Sequence, residues 1–335
     1  MISRKIFFSL FLCFGFIAAI HAGNFKTFYR NGLRELNAHN YEAALSKFKE
    51  AYNCAELSQE EVKILLIIAD VYSRQKKYKD AKNWARRILD IPDLKLKTKV
   101  TAYRRLISYS VNLKRYDDAL DDVRMALRSV SDNKDKAFFL IERSKIFEAQ
   151  KKYPEAVEAL RDCIEICEKG SMQWQAAQQR FVVILYLQKK DKELLKLLPT
   201  LQLDEWQAFS RQIVCYYGGL CAYRQIDYKL AVNWFEQISD KGRSWLVYSK
   251  NKHLGVCWQR MHNYEKAYKC FETIYKNTKL QNYYRANALY IMASIRYQQK
   301  KYEDVKKMCE KLKKFPKASK RNIKQAEHLL ERIKK

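Results

Sequence analysis

Residues 228–238 read YKLAVNWFEQI, and residues 264–274 read YEKAYKCFETI. Both stretches follow one pattern: a tyrosine, a small residue three positions later, a large apolar residue four beyond it, and an apolar residue after three more. Tyrosines that open such a pattern recur about 37 residues apart, at Tyr41, Tyr78, Tyr116, Tyr153, Tyr228, Tyr264 and Tyr302. The one wide gap, between Tyr153 and Tyr228, has room for a further unit. A fixed period of this length is typical of a solenoid, in which units too small to fold alone stack side by side.

The spacing of apolar residues predicts a pair of helices in each unit. After Tyr228 they follow at intervals of three and four, as expected for one face of a helix: Ala231, Phe235 and Ile238. Before Tyr228, residues 213–223 form a second apolar run with two glycines in its middle, where a neighbouring helix can approach closely. Only 8 Gly and 4 Pro occur in the 335-residue chain, which argues against β-sandwiches and glycine-rich loops. We therefore expect an all-α chain of helical hairpins.

This pattern resembles the tetratricopeptide repeat (TPR), whose second helix opens with a tyrosine followed by small, aromatic and small residues. The first unit of this chain matches it with Tyr41, Ala44, Phe48 and Ala51. The small position in the family's first helix is filled here by Gly32, Ala69, Gly219, Gly255 and Ala293. The resemblance covers about residues 25–315. It implies a right-handed α-solenoid of about eight TPR-like helix-turn-helix repeats.

Two local features of the units stand out. Three units share the tetrapeptide Gln-Lys-Lys-Tyr, at residues 75–78, 150–153 and 299–302. The fifth unit departs from the pattern, with Lys192 expected in the tyrosine position and Leu195 and Leu198 in the positions that follow.

The two ends of the chain differ from the repeats. Arg4 and Lys5 precede an apolar run, and small residues follow it, so residues 1–22 are expected to be a signal peptide cleaved after Ala22. An uncleaved membrane anchor is the alternative. No other stretch is long and apolar enough to cross a membrane. Residues 23–316 are then the repeat domain, and residues 317–335 a basic amphipathic helix that caps the stack.

Charge and cysteine content leave alternatives open. The formal net charge of +28 falls to +26 without residues 1–22, which contain two basic residues and no acid. Such a charge fits either a solvated lysine-rich surface or attraction to an anionic polymer. The eight cysteines outside the signal peptide mostly occupy small or apolar positions of the repeat. Buried thiols are therefore expected, with disulfides as the alternative.

No residue pattern indicates catalysis. The chain lacks paired histidine spacing, a nucleophile elbow and a phosphate-binding glycine loop. Acidic pairs such as Asp117-Asp118 and Asp121-Asp122 lie beside basic residues and are interpreted as solvated ion pairs. We expect neither an enzyme nor a cofactor or metal site.

The resemblance implies that fixed positions of each first helix face a concave groove. In the C-terminal half these positions carry aromatic, cationic and amide side chains, which binding hot spots favour, although the tyrosines also fit packing between units. The expected partner-binding residues are Tyr216, Tyr223, Arg224, Lys252, Gln259, Arg260, Tyr290 and Tyr297.

The sequence thus favours an exported scaffold, periplasmic or extracellular, that binds a segment of a protein partner in this groove. The alternative is an electrostatic binder of an anionic polymer or membrane surface. Nucleic acid is the least favoured of the anionic partners, because no base-reading repeat is present.

Overall fold

Every tyrosine that opens the sequence pattern is the first residue of a helix. The computed structural model describes residues 24–316 and 318–334, and within these ranges the ordered elements are helices, without strands. Pairs of helices repeat along the chain, which confirms the predicted all-α repeat architecture. In each hairpin the second helix packs on the first.

The helices divide into two compact units, residues up to 167 and residues from 168 onward. The first unit contains four hairpins: α1 (residues 24–37) with α2 (Tyr41–Asn53), α3 (Ser58–Arg74) with α4 (Tyr78–Arg86), α5 (Leu96–Asn112) with α6 (Tyr116–Ser129), and α7 (Asn133–Ala149) with α8 (Tyr153–Ile166). A short 3-10 helix, Arg87–Asp90, extends α4.

The second unit also contains four hairpins and then one more helix. They are α9 (Met172–Leu187) with α10 (Asp191–Leu197), α11 (Ala208–Arg224) with α12 (Tyr228–Glu236), α13 (Ser244–Arg260) with α14 (Tyr264–Lys276), and α15 (Asn282–Gln298) with α16 (Tyr302–Lys313). Two 3-10 helices, Leu198–Leu201 and Leu203–Glu205, follow α10. The additional helix α17 (Lys320–Lys334) packs on α15 and α16.

In each hairpin turn, the residue two positions before the start of the second helix has a left-handed backbone conformation. Its φ lies between 58° and 65° in all eight hairpins, at His39, Lys76, Lys114, Lys151, Lys189, Ile226, His262 and Lys300. In the second hairpin, Lys77 N–H donates to the Tyr72 carbonyl and Lys76 N–H to the Ser73 carbonyl, both at 2.9 Å. These bonds form a Schellman motif, which satisfies the last carbonyls of the first helix. His39 and His262 thus occupy the left-handed position of their turns.

A glycine facing a phenyl ring brings the two helices of three hairpins together. Phe48, Phe235 and Phe271, each seven residues after the opening tyrosine, are at most 1% exposed. A Cβ on the facing glycine would lie within 2.5 to 2.6 Å of a ring carbon, so no larger residue fits without movement. The pairs are Gly32 with Phe48, Gly219 with Phe235 and Gly255 with Phe271.

The structure shifts the fifth repeat by one residue from its expected position. The left-handed residue is Lys189, so Asp191, and not Lys192, occupies the position of the opening tyrosine. Leu194, Leu198 and Leu201 then fill the buried positions that follow, each at most 3% exposed. The expectation that placed Leu195 in this series was therefore wrong.

At three joints a hydrogen-bonded pair joins successive repeats through an acidic residue that follows the opening tyrosine. The glutamine three positions before the next tyrosine donates to that carboxylate: Gln75 to Glu42 at 3.2 Å, Gln150 to Asp117 at 3.4 Å and Gln299 to Glu265 at 3.0 Å. This contact accounts for the glutamine of the shared Gln-Lys-Lys-Tyr sequence. At the last joint, hydrogen bonds from Arg296, Lys301 and Gln299 lower the pKa of Glu265 to about 2.

Residues 1–22, the expected signal peptide, lie outside the described residues. Among the helices that the structure describes, none combines the length and apolarity that a bilayer span requires.

Gly219→Ala tests the contact between the paired helices. The added methyl group would lie 2.5 Å from a ring carbon of Phe235, so we expect a loss of roughly 1–3 kcal/mol in the free energy of unfolding. Alanine has the higher helix propensity, so an unstrained site would show the opposite sign. Urea denaturation followed by circular dichroism measures the change. In a Phe235→Leu background the loss should shrink; an equal loss there would place its cause elsewhere.

Candidate partner-binding surface

The expected binding residues lie on α11, α13 and α15, the first helices of three consecutive hairpins in the second unit. On each helix two of them are seven residues apart, which places both on one helical face because seven residues make almost two turns. We call the set of these eight residues the first-helix surface. The structure gives its members four different environments.

Tyr216 and Tyr223 are half-buried against the next first helix. Each ring centroid lies 6.1 Å from that of His253 on α13. The His253 Nδ1 atom is 2.8 Å from the Ser249 carbonyl oxygen, and burial lowers the pKa of His253. A neutral imidazole that donates from Nδ1 fits both observations. Much of each tyrosine ring is thus occupied by packing between helices, and only the remaining surface is open to a partner.

Lys252 and Arg260 are exposed on α13, and Gln259 between them is half-buried. Among the described residues, neither cation has a carboxylate within ion-pair distance. They lie eight residues apart, slightly more than two turns, on the helix whose His253 packs against the rings of Tyr216 and Tyr223. This is the part of the first-helix surface with the most hydrogen-bonding capacity available to a partner.

Arg224, by contrast, is held by the preceding hairpin. Its guanidinium donates to both carboxylate oxygens of Asp191, with Nε 2.6 Å from Oδ2, and stacks 4.4 Å from the ring of Tyr186. Asp191 is only 4% exposed. Burial would raise the pKa of Asp191, but hydrogen bonds from Arg224, Cys221 and Gln225 outweigh it and lower that pKa. Arg224 therefore joins two repeats and offers little charge to a partner.

Tyr290 and Tyr297 pack against the apolar cluster that α17 shares with α15 and α16. The Arg332 guanidinium lies 5.0 Å from the Tyr297 ring, whose other neighbour is Tyr302 at 5.9 Å. Helix α17 thus limits the access of a partner to these two tyrosines.

Three large apolar side chains are exposed on these helices, and the sequence did not lead us to predict them. Phe209, Trp245 and Tyr283 are 39%, 46% and 54% exposed, and each is the second residue of its helix. Each lies seven residues before a member of the first-helix surface, namely Tyr216, Lys252 or Tyr290. Extending the same seven-residue spacing by one step towards the N-terminus would have found them.

The acidic residues and thiols have structural roles. Asp122 is 4% exposed rather than solvated as expected, and it is bound by Lys82 at 3.3 Å, Arg86 at 2.7 Å and Ser110 at 3.2 Å. The eight cysteines are free, and burial raises the pKa of Cys215 to about 11, which disfavours its reactive thiolate. In residues 24–316 and 318–334, no group of three or more His, Cys, Asp or Glu side chains is placed to hold a metal ion.

Solved structures share this arrangement of hairpins. The apo form of RapI aligns with a TM-score of 0.55 at 15% identity, over 94% of this chain and 98% of RapI. The C-terminal part of a TPR repeat-containing protein from Cytophaga hutchinsonii aligns with a TM-score of 0.54 at 12% identity, over 78% of this chain and 98% of that one. The chain has a tetratricopeptide-repeat fold. Identities this low establish the TPR fold alone.

No protein-family model and no curated protein matches the sequence.

Arg224 and Arg260 occupy the same position of successive TPR units and provide a matched pair of variants. Arg224→Ala should cost about 1–3 kcal/mol of unfolding free energy, because it leaves the buried Asp191 carboxylate without its main partner. Arg260→Ala should change stability by less than about 0.5 kcal/mol. Thermal and urea denaturation of both variants measure the difference. Equal losses would contradict the distinct roles assigned to the two arginines.

Proposed function

We propose that the chain is a non-enzymatic interaction scaffold that binds a segment of another protein along the first-helix surface. The observation that carries this proposal is the combination on α13 of exposed, internally unpaired cations with the adjoining rings of α11. Lys252 and Arg260 can bind carboxylates or carbonyl groups, while the open faces of Tyr216 and Tyr223 bury apolar area. Aromatic and arginine side chains together are typical of binding hot spots.

The TPR fold supports this proposal in general terms. Stacked hairpins display one helix from each repeat along an extended surface, so a long partner segment can contact several repeats at once. The side chains that could take part in catalysis also fit a non-enzymatic role, since the acidic residues and thiols described above are engaged in ion pairs and packing.

A search for peptide ligands tests the proposal directly. A library of random peptides is selected on the purified full chain, and the binders are measured against variants by fluorescence anisotropy. Lys252→Ala/Arg260→Ala should weaken the selected peptides by on the order of tenfold, because both cations lie in the proposed site. The matched control, Lys229→Ala/Lys269→Ala, removes the same charge from exposed positions of the second helices α12 and α14 and should leave the affinity nearly unchanged.

The two variants also separate this function from binding of anionic polymers. Heparin and anionic vesicles should respond equally to both double variants, and their binding should fall steeply with added salt. Loss of the selected peptides in both double variants alike would favour this electrostatic alternative. Failure to select any peptide would overturn the scaffold proposal.

We also propose that the chain acts outside the cytoplasm, on the strength of the basic and apolar pattern of residues 1–22. When the chain is produced in a bacterial host with its own N-terminus, protein from the periplasmic fraction should begin at Gly23. Mass spectrometry of the intact protein measures this. A chain that keeps Met1 and sediments with the membranes would instead indicate an uncleaved anchor.

A further inference from the structure

A cleft lies in the second unit where the chain enters and leaves the fifth hairpin. Its volume is about 480 Å³, which is in the range of sites for small organic ligands. Its lining residues come from two stretches, residues 168–175 at the start of α9 and residues 201–206 before α11. The second stretch belongs to the longest connection between hairpins of this unit, residues 198–207. The cleft shares no residue with the first-helix surface.

A buried glutamine fastens the two stretches to each other. Gln175 is 5% exposed; its Nε2 donates to the Gly170 carbonyl at 2.8 Å, and its Oε1 accepts from the Gln207 N–H at 2.9 Å. Each stretch also contains one residue with a left-handed backbone, Gly170 with φ 83° and Gln202 with φ 45°. The hydrogen bonds of Gln175 thus hold both loops in place, and a site held in this way loses little conformational entropy when a ligand binds.

Two tryptophans form an aromatic corner in the cleft, which we call the tryptophan cleft. The ring centroids of Trp174 and Trp206 lie 5.7 Å apart, and the ring planes meet at 75°. Trp206 is 7% exposed, Trp174 is half-buried, and both line the cleft. Tryptophan attracts cations to its ring face more strongly than any other aromatic side chain. Two faces at a steep angle can contact one cationic group from two sides.

The basic side chains of the chain itself leave these two indoles uncovered. Elsewhere they occupy tryptophan faces: the Arg87 guanidinium lies 4.3 Å from the Trp84 ring centroid, and the Lys266 Nζ lies 4.2 Å from that of Trp258. Among the residues that the structure describes, no lysine or arginine lies over either indole of the cleft. In a chain with a formal net charge of +28, these faces therefore remain accessible to a cation from outside.

The charges at the cleft are opposite in sign to that of the whole chain. Glu168, Glu205 and Lys169 line it, so two carboxylates stand against one ammonium group. In the described part of the chain, no ion pair engages any of the three. The neighbouring Asp204 does not line the cleft and is paired with Arg211 at 3.1 Å. Both carboxylates of the cleft are exposed, so their attraction for a cation is weakened by salt, and the indole faces supply the more specific contact.

We propose that the tryptophan cleft binds a small organic cation that carries a methylated ammonium group. A primary ammonium group is strongly hydrated, and indole faces do not replace the hydrogen bonds that it makes with water. Methyl groups remove that cost and bring apolar area to the rings, while the positive charge is attracted by the ring faces and by the carboxylates of Glu168 and Glu205. The proposal is independent of the proposed scaffold function.

Choline and its uncharged isostere 3,3-dimethyl-1-butanol test the ligand class on the purified full chain. The two molecules have nearly the same shape, but only choline is a cation. Isothermal titration calorimetry should show choline binding on the order of tenfold more tightly than the alcohol. Equal binding of the two molecules would overturn the proposal, and so would an absence of choline binding at millimolar concentrations.

Variants of the lining residues test the location. Trp174→Leu should weaken choline binding by on the order of tenfold, because it removes one aromatic face and keeps an apolar side chain. Circular dichroism confirms that the variant is folded. Unchanged choline binding in a folded Trp174→Leu variant would place the ligand elsewhere.

A matched pair of charge variants tests the electrostatic part. Glu205→Gln should weaken choline binding about threefold, whereas Asp204→Asn removes the same charge from the preceding residue, outside the cleft, and should have little effect. Lys169→Gln should strengthen binding, because it removes a like charge from the cleft. Equal losses in Glu205→Gln and Asp204→Asn, or weaker binding in Lys169→Gln, would contradict the assignment.

Vesicles of phosphatidylcholine distinguish the two sources of a methylated ammonium group. Vesicle binding that Trp174→Leu abolishes would identify a lipid headgroup as the ligand, and choline binding without vesicle binding would identify a free molecule. Lys252→Ala/Arg260→Ala should leave choline binding unchanged, since neither residue lines the cleft. Failure to select peptides would therefore overturn the scaffold function alone, and failure of choline to bind would overturn the tryptophan cleft alone.

Discussion

The close approach of the two helices in a hairpin depends on complementary volumes at one contact. Where the second helix carries a buried phenylalanine, the facing residue of the first helix is glycine, as in Gly219 with Phe235. Where the second helix carries a smaller residue, the first helix carries a larger one than glycine: Ala69 faces Ala85, Ile107 faces Val123, and Val182 faces Leu198 in the corresponding positions. All three of these pairs are at most 2% exposed, so the contact between the two helices is filled by protein atoms in these hairpins as well.

Uniform hairpins explain why side chains align along the surface. The first helices α11, α13 and α15 each have 17 residues and begin 20 residues before the opening tyrosine. The second residue of each helix therefore lies at the same height, and so does every residue seven further on. Hydrogen bonds across the joints, such as Gln299 to Glu265, keep successive hairpins in this register.

The repeat period was sufficient to predict the hairpins, the tyrosines that begin the second helices and the turns, because those features depend on local spacing. Side-chain environments on the first helices could not be obtained in the same way. Arg224 and Arg260 have the same position in the pattern, yet only Arg224 has an acidic partner, because Asp191 replaces the opening tyrosine of the fifth repeat. Because the sequence pattern placed Lys192 in that position, it did not predict the ion pair between Arg224 and Asp191. Ring burial at Tyr216 and Tyr290 depends on which helix follows, and the spacing within one repeat does not contain that information.

Residues in the middle of the first helices take a larger part in packing between repeats than residues at the N-terminal ends. Residues near the middle of these helices, such as Tyr216, share their surface with the next repeat, so changing them alters packing as well as binding. Residues at the N-terminal ends, such as Trp245, are more exposed, and the Trp245 ring meets the Tyr216 ring edge to face at 6.1 Å. Substitutions at these exposed ends are therefore expected to cost less stability than substitutions at Tyr216. The contrast between Lys97 in the first unit and Trp245 in the second shows that one position accommodates both a cation and a ring.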